Sequence, residues 1–192
     1  MHEQEVGRLF EETGALLIGH FLLTSGLHSE KYLQCSKVLQ WPDKAEACAR
    51  AIARKLSARP DLVIAPAIGG IIIGHELGRA LSCRALFVER ESGVLQLRRG
   101  FEIREAEKAL VVEDVITTGG TTLEAMKVVR SSGGVVVGAA SLVDRSGGKV
   151  SLGVPYHCLW TLSIPTYEPD QCPLCRTGSK PIKPGSRSNF GL

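Results

Sequence analysis

Apolar residues recur along the chain in short runs that alternate with longer segments in which they return every three or four positions. The short runs predict strands at Ala15–Leu23, Lys31–Cys35, Leu62–Ala65, Ala85–Glu89, Ala109–Ile116 and Val135–Val143. The longer segments predict helices at residues 5–13, 42–56 and 71–81, and from 123 to the glycines at 133 and 134. Because strands and helices alternate, we expect an α/β fold with a doubly wound parallel sheet that binds ligands at the carboxyl ends of its strands.

Composition narrows the class of protein. A chain of 192 residues that is 44% hydrophobic can fill one domain. Its 23 basic and 20 acidic residues leave a net charge of +3, which is too balanced for a dedicated nucleic-acid binder. The N-terminal residues lack the pattern of a secretory signal, and no apolar run approaches the length of a membrane span. We therefore expect a cytoplasmic protein with neither nucleic-acid nor membrane partners.

Six cysteines lie at scattered positions, which does not suggest a disulfide framework in a domain of this size, so we expect reduced thiols. Only Cys172 and Cys175 have the spacing of metal ligands, and they would supply half of a tetrahedral zinc site. A second pair of ligands could come from His157 and Cys158 or from another subunit. The alternative is that these thiols bind no metal.

The segment Val111–Leu123, VVEDVITTGGTTL, joins a buried strand, two acids and a loop of threonine and glycine at the start of a helix. Unpaired backbone N–H groups at a helix start favour the binding of a phosphate group. Glu113 and Asp114, at the end of the strand, could accept hydrogen bonds from two neighbouring sugar hydroxyls. An ordinary strand–turn–helix junction with solvated acids shares some of these features, but their combination indicates a site for a phosphorylated sugar.

Two other segments could contact phosphate groups. Pro66–Ile71 also joins a strand to a helix, and alone it would be a plain helix start. Phe87–Gly100 is long and charged for a connection between strands. It could be a surface hairpin in which Arg98 and Arg99 are solvated. We favour a lid whose arginine, with Arg90 as the best candidate, closes over a diphosphate.

Asp144 and Arg145 end the last central strand. Such a pair is often only a surface ion pair that contributes little. In the expected sheet this strand end lies near Thr117, where Arg145 could hold a planar, anionic substrate.

With these features in place, the chain shows a resemblance to a known family. Val111–Leu123 resembles the motif with which type I phosphoribosyltransferases bind 5-phosphoribosyl 1-diphosphate (PRPP). Gly14–Leu16, Gly19–Gly26 and His28–Ser29 resemble the hood that covers the base in orotate phosphoribosyltransferases, and the similarity extends over about residues 5–165. The resemblance implies a type I phosphoribosyltransferase sheet with a small N-terminal hood. It also implies Mg²⁺-dependent transfer of the phosphoribosyl group of PRPP to orotate, giving orotidine 5′-phosphate and diphosphate in UMP biosynthesis.

The resemblance assigns roles by position. PRPP would contact Glu113, Asp114, Val115, Ile116, Thr117, Thr118, Gly119, Gly120, Thr121, Ile68, Gly69 and Arg90. Orotate would contact Thr117, Arg145 and the backbone near Tyr32 and Leu33. Arg90 and Asp114 would be the catalytic residues, and Mg²⁺ would be held mainly through PRPP. The family also implies a homodimer that exchanges its lids.

The chain departs from many members of this family at three places. Thr24 stands where many have lysine, and Ile68–Gly69 stands where many have an aromatic residue followed by lysine. Residues 91–101 contain neither lysine nor histidine, which many relatives have inside the lid. We therefore hypothesise that Arg90 stabilises the leaving group.

Two alternatives stay open at this stage. One is a purine or uracil salvage phosphoribosyltransferase that shares the PRPP motif, and the other is a non-catalytic regulator that senses PRPP. We expect hood elements at residues 1–40, the α/β core at 41–165 and an irregular tail at 166–192.

Overall fold

The computed structural model of the protein describes residues 1–23 and 25–184. Helices and strands occur in the order α1 (Glu3–Glu12), β1 (Leu16–Leu22), β2 (His28–Leu33), α2 (Ser36–Leu39), α3 (Pro42–Ala53), β3 (Leu62–Pro66), α4 (Gly70–Leu81), β4 (Arg84–Glu91), β5 (Val94–Leu97), β6 (Lys108–Ile116), α5 (Gly120–Ser131), β7 (Val135–Asp144), β8 (Tyr156–Thr161), β9 (Thr166–Tyr167) and α6 (Pro173–Arg176). Thr24, at which the sequence departs from many relatives, lies outside the described residues.

The main sheet has six strands in the order β5-β4-β3-β6-β7-β8. All its neighbouring pairs are parallel except β4 and β5, which form an antiparallel hairpin. Residues 62–65 of β3 are fully buried, as expected for a central parallel strand with both faces covered. One hydrophobic core joins this sheet to α1, α3 and α4, and a second joins its other face to α5. The doubly wound sheet expected from the sequence is confirmed.

A second, antiparallel sheet of three strands forms the hood, in the order β1-β2-β9. The pairing between β1 and β2 extends from Leu16 and Leu33 to Leu22 and His28. Strand β2 therefore begins three residues before the predicted start, because those residues complete the hairpin. Strand β9 comes from the C-terminal tail and pairs with the first two residues of β2.

The tail is less irregular than the sequence indicates. Beyond β9 it contains the single turn α6, and Ile182 then pairs with β1 through Leu22 N to Ile182 O at 2.9 Å and Ile182 N to His20 O at 2.8 Å. The sequence pattern missed these elements because each is too short to show a period. Residues 185–192, the last part of the predicted tail, lie outside the described residues.

The structure also has an additional strand and a shorter helix than the sequence predicts. Strand β8 was not predicted from the sequence, although it forms the edge of the main sheet beside β7. Helix α3 ends at Ala53, three residues before its predicted end. Its last turn tightens there, because Lys55 N and Leu56 N bond to carbonyls only three residues back. In the described part of the chain, no helix combines the length and apolar character needed to cross a membrane.

Helix α4 approaches β3 so closely that only glycine fits at one contact. A Cβ at Gly74 would lie 2.9 Å from the Cβ of Ala65, whereas a Cβ at Gly7 in α1 would lie 3.6 Å from the Trp160 ring. Both glycines are inside helices, where alanine is intrinsically favoured by about 0.5–1 kcal/mol. The two sites thus differ mainly in the space available.

We expect Gly7→Ala to raise the free energy of unfolding by about 0.5–1 kcal/mol, because only the helix preference changes. Gly74→Ala should lower it by about 1–3 kcal/mol, because α4 must move away from the sheet. Urea titration monitored by circular dichroism would measure both. Equal effects of the two substitutions would contradict the close packing of α4 on β3.

Candidate active site

The order of the strands defines where a ligand can bind. From β3 the chain passes through α4 to β4 on one side, and it then returns to β6 on the other side of β3. Connections leave β3 and β6 in opposite directions, so a crevice opens between their carboxyl ends, where open α/β sheets bind ligands. The loop 66–70 follows β3 and the loop 117–120 follows β6. The two sequence segments expected to bind phosphate groups therefore meet at this switch point.

The loop after β6 wraps around a small concavity of about 50 Å³, lined by Glu113 and residues 115–122. Gly119, which precedes α5, has a φ of +80°, and a Cβ there would also lie 2.8 Å from Val150 and 2.9 Å from Leu152. Backbone conformation and packing both exclude a larger residue. The start of α5 thus presents free N–H groups in a hollow suited to a phosphate group.

The loop after β3 is in contact with the acid pair. A Cβ at Gly69 would lie 2.8 Å from both carboxylate oxygens of Asp114, and a Cβ at Gly70 would lie 3.5 Å from Glu113 Oε2. The peptide bond between Ala67 and Ile68 is cis, and the Ile68 side chain is exposed. Because glycines occupy 69 and 70, the backbone of this loop can lie directly against the two carboxylates. The sequence-based assignment of the segment Pro66–Ile71 includes Ile68 and Gly69 but not Gly70.

Burial controls the charge of both acids. Desolvation raises the pKa of Glu113 to about 8, and repulsion by Asp114 is the second cause of this shift. Desolvation also raises the pKa of Asp114, although a hydrogen bond from Val115 N at 2.9 Å acts in the opposite direction. Among the described residues neither acid has a cationic partner within ion-pair distance. Folding therefore favours the protonated form of Glu113, and its contribution to stability is lost as pH rises from about 4.5 to about 8. A ligand that donates hydrogen bonds or positive charge to these carboxylates would favour their ionised forms.

Arg145 lies beside the loop that follows β6, as the sequence predicts. Its backbone N–H donates to the Ile116 carbonyl at 2.8 Å, and Asp144 pairs in register with Ile116. The Arg145 Nε is buried and has no hydrogen-bond partner within the described residues. Burial lowers the pKa of this guanidinium, and Tyr32 and Cys35 act in the opposite direction. A desolvated guanidinium with an unused donor is suited to an anionic ligand.

The hood approaches the same region. The Cys35 thiol lies 3.7 Å from the Asp114 carbonyl oxygen, and Tyr32 interacts electrostatically with Arg145. The Tyr32 ring packs on Phe21 at 5.8 Å between centroids, and Leu33 is buried and pairs with Leu16. Of the two hood residues expected near the base, Tyr32 therefore lies close to Arg145. Thr117 is exposed at the end of β6 on the same side.

The charged connection forms the β4–β5 hairpin, with its turn at Ser92 and Gly93. Arg90 donates to the Gly93 carbonyl within the hairpin and forms an ion pair with Glu124 of α5 at 3.0 Å. This partner could not be predicted from the sequence pattern, because Glu124 belongs to another element. The base of the hairpin is bound to the loop after β3, since Ala67 N donates to the Val88 carbonyl at 2.7 Å.

The other two arginines of this segment pair with acids of the hairpin itself, whereas Arg90 pairs with another element. Arg98 contacts Glu91 at 2.9 Å, and Arg99 contacts Glu89 at 2.9 Å while lying over the Phe87 ring. These contacts are local to the hairpin, which favours Arg90 as the arginine directed towards the neighbouring elements.

A wide cleft of about 950 Å³ lies at the opposite end of the main sheet, near the amino ends of β4 and β6. Several of its charged groups are engaged, since Arg84 forms an ion pair with Glu107 at 2.8 Å and Arg79 pairs with Glu46 at 3.2 Å. Among the described residues, the crevice at the carboxyl ends contains two acids without a cationic partner and an Arg145 Nε without a hydrogen-bond partner. Its charges, rather than its size, make it the candidate functional site.

Comparison with known proteins agrees with this geometry. Residues 34–159 match the family model of the phosphoribosyl transferase domain. The chain therefore belongs to the phosphoribosyltransferase family. It is 54% identical over 188 residues to the orotate phosphoribosyltransferase of Caldicellulosiruptor saccharolyticus, covering 97% of this chain and 98% of that protein. Within the family, it groups with the orotate phosphoribosyltransferases.

Solved structures show the same fold. The orotate phosphoribosyltransferase of Aeropyrum pernix has a TM-score of 0.69 at 28% identity, covering 82% of this chain and 93% of that one. The adenine phosphoribosyltransferase of Thermoanaerobacter pseudethanolicus has a TM-score of 0.58 at 22% identity, covering 69% and 88%. Since an adenine enzyme shares the fold, the fold by itself does not select the base.

The raised pKa of Glu113 predicts that sugar-phosphate binding strengthens with pH. With a pKa of about 8, about a tenth of Glu113 is ionised at pH 7 and about nine-tenths at pH 9. We expect the Kd for ribose 5-phosphate, measured by calorimetry without Mg²⁺, to fall about tenfold between these values, because its hydroxyls donate to the ionised carboxylate. The phosphate group is already a dianion at pH 7, with its second pKa near ~6.

Glu113→Gln should remove this pH dependence, and Glu12→Gln on the exposed face of α1 should retain it. A pH dependence that persists in the Glu113 variant would assign the titration to another group.

Proposed function

We propose that this protein transfers the 5-phosphoribosyl group of PRPP to orotate, giving orotidine 5′-phosphate and diphosphate in UMP biosynthesis. One observation carries the proposal: the partly desolvated guanidinium of Arg145 has a buried Nε without a hydrogen-bond partner among the described residues, and it follows the strand next to the one that ends with Glu113, Asp114 and the loop 117–120. A phosphoribosyl donor would hydrogen-bond to the two acids and the loop, and an anionic acceptor would balance the charge of Arg145. The names of the relatives agree with this combination.

Arg145 selects the base in this proposal. Orotate carries a carboxylate in the plane of its ring, and a guanidinium can hold such a group through two parallel hydrogen bonds. Thr117 and the hood backbone at Tyr32 and Leu33 would complete the contacts to the ring. Adenine and uracil are neutral, so they would leave the desolvated charge of Arg145 unbalanced.

The acids and the two loops hold the donor. Glu113 and Asp114 accept hydrogen bonds from the ribose hydroxyls, and the loop from Val115 to Thr121 binds the 5′-phosphate. The backbone at Ile68 and Gly69 contacts the diphosphate, which can approach this backbone closely because glycine has no side chain. Asp114 acts in catalysis by favouring the positive charge that develops on the ribose as the bond to diphosphate breaks.

The site also suits Mg²⁺, because two carboxylates without a cationic partner in the described chain provide hard oxygen ligands nearby. Bound with PRPP, Mg²⁺ would supply positive charge that balances the diphosphate. The chain's own part is to position the two substrates, so that the ring nitrogen of orotate attacks the anomeric carbon while diphosphate leaves with the bonding electrons.

Arg90 is proposed to stabilise the leaving diphosphate. In the structure it is paired with Glu124, so closure of the hairpin would exchange this exposed ion pair for phosphate oxygens. An exposed ion pair contributes little, about 0–1 kcal/mol, so the exchange is not costly. The family further suggests a cytoplasmic homodimer in which Arg90 reaches the partner's site.

Mixing the protein with PRPP, Mg²⁺ and orotate tests the proposal, since orotate absorbance falls when the nucleotide forms. No change with orotate, together with turnover of adenine or uracil, would assign the protein to base salvage. Binding of PRPP without turnover of any base would favour the regulator, and salt-dependent RNA retention on filters would test that reading directly.

Arg145→Met should raise the KM for orotate about 10- to 100-fold, equivalent to about 1.4–2.7 kcal/mol, while the KM for PRPP changes little. The free energy of unfolding without substrates should stay equal or rise, because a desolvated charge is removed. Steady-state kinetics and urea titration measure the two effects. Arg130→Met, at the far end of α5, is the control, and a parallel loss of stability and activity would contradict the binding role.

Arg90→Ala should lower kcat about 100-fold or more, as expected when a donor to the developing negative charge is lost. Glu124→Gln should leave kcat unchanged or higher, because Arg90 is then released from its ion pair. Arg98→Ala, in the same hairpin, is the matched control and should stay close to the parent. If kcat of Arg90→Ala remained within a few-fold of the parent, the proposed role would be wrong.

A further inference from the structure

Four metal-ligating side chains converge between the hood and the tail, away from the acid pair. His20 lies in β1, His28 begins β2, and Cys172 and Cys175 lie at the start of α6 and within it. The four potential ligand atoms all lie within 4.8 Å of one another. The two cysteines are the pair with metal-ligand spacing in the sequence. The second pair is His20 and His28, and not His157 with Cys158. Because all four side chains belong to one chain, the cluster needs no ligand from another subunit.

The distances between the ligand atoms fit one tetrahedral ion. His20 Nε2 lies 3.0 Å from His28 Nδ1 and 3.5 Å from Cys172 Sγ. Cys175 Sγ lies 3.9 Å from His20 Nε2 and 3.3 Å from His28 Nδ1. Zinc bonds of about 2.3 Å to sulfur and about 2.0–2.1 Å to nitrogen imply tetrahedral edges of about 3.4 Å between nitrogens and about 3.6 Å between nitrogen and sulfur. The observed separations scatter around these values.

The surroundings orient the ligands. The carbonyl oxygen of Ser179 lies 3.1 Å from His20 Nδ1 and can accept its proton, which leaves Nε2 of that ring free to face the cluster. Such a hydrogen bond to a backbone carbonyl is the usual support of a metal-bound histidine. His20, His28 and Cys172 are buried, with exposures of 5%, 6% and 0%. Four metal-ligating side chains that are buried or half-buried rarely lie this close together by chance.

The ligand chemistry selects the metal. Two thiolates and two imidazoles in tetrahedral arrangement are typical of zinc. A two-iron cluster with the same residue types would separate the cysteine pair from the histidine pair on different irons, whereas here each histidine is within 4 Å of a cysteine sulfur. With both thiols ionised, the complex of Zn²⁺ is electrically neutral, which suits a buried position.

We propose that His20, His28, Cys172 and Cys175 bind one structural Zn²⁺ that fastens the C-terminal tail to the hood. Four protein ligands leave no open position for a substrate, so the ion stabilises structure and takes no part in the transfer reaction. Binding converts Zn²⁺ and two thiols into two zinc–sulfur bonds and releases two protons. The inference is independent of which base the active site accepts.

The ion would reinforce contacts that are otherwise small. Tail and hood are joined by the two-residue pairing of β9 with β2 and by the backbone bonds of Ile182 with β1. The zinc site lies between these two attachments in the sequence. Its loss should therefore loosen the tail from α6 onward more than the main sheet.

The first test is the metal content of the purified full-length protein, measured by plasma mass spectrometry. We expect about one zinc per chain, retained through gel filtration. Cys172→Ser and Cys175→Ser should each lose most of it. Cys158→Ser and His157→Asn are matched controls that also test the other pairing considered from the sequence, and they should keep the zinc.

The second test does not depend on the variants folding. Protein depleted of metal with a chelator should bind one Co²⁺ and develop the strong visible bands of a tetrahedral site, with a thiolate charge-transfer band in the near ultraviolet. Adding Zn²⁺ should abolish these bands. Depletion should lower Tm by roughly 5 °C or more, reversed by Zn²⁺.

Limited proteolysis shows which part of the chain loosens when the metal is removed. Trypsin can cut after Arg176, which is exposed and follows Cys175 directly, whereas Lys180 and Lys183 each precede proline. Cleavage at Arg176 should accelerate at least tenfold on depletion and return to its original rate with Zn²⁺.

Several results would overturn the proposal. One is protein without zinc that gives no cobalt spectrum when reduced. Another is stoichiometric iron or copper in place of zinc. A third is a Cys172–Cys175 disulfide in protein isolated with its other thiols reduced. The proposal would also be wrong if Cys158→Ser or His157→Asn removed the zinc while Cys172→Ser left it bound.

Discussion

The close contact between the loop after β3 and the acids at the end of β6 is the constraint on which the active site depends. Gly69 allows its backbone to touch the Asp114 carboxylate, and Gly70 does the same near Glu113. Burial raises the pKa of both acids, so a ligand that supplies hydrogen bonds or positive charge would favour their ionised forms. The same proximity brings the loops after β3 and β6 within the reach of a single small molecule.

This arrangement divides the site into parts with different electrostatic demands. On one side, two carboxylates lack a cation among the described residues, and on the other, Arg145 has a buried Nε without a hydrogen-bond partner. Such unsatisfied groups cost stability, which a folded domain accepts mainly where a ligand later satisfies them. Among the described residues, Arg145 Nε is the buried side-chain atom that has no hydrogen-bond partner, and it lies at this edge of the sheet.

The sequence predicted the sheet and its ligand-binding edge because buried runs such as Leu62–Ala65 and the motif Val111–Leu123 are local signals. It also placed Arg145 beside Thr117, since neighbouring parallel strands end at the same edge. It could not predict the ion pair of Arg90 with Glu124, which depends on how a hairpin leans on a distant helix. It found Cys172 and Cys175 but not the two histidines nearby, because the pairing of β9 and Ile182 with the hood has no local pattern.

The attachment of the tail also sets an order of events during synthesis. The hood strands β1 and β2 are synthesised before the α/β core, but the segment that completes their sheet, Thr166–Tyr167, is synthesised after it. The core can fold as soon as β8 has emerged. The hood therefore starts before the core and is completed after it, so a chain interrupted between β8 and β9 would retain a folded core beneath an incomplete cover.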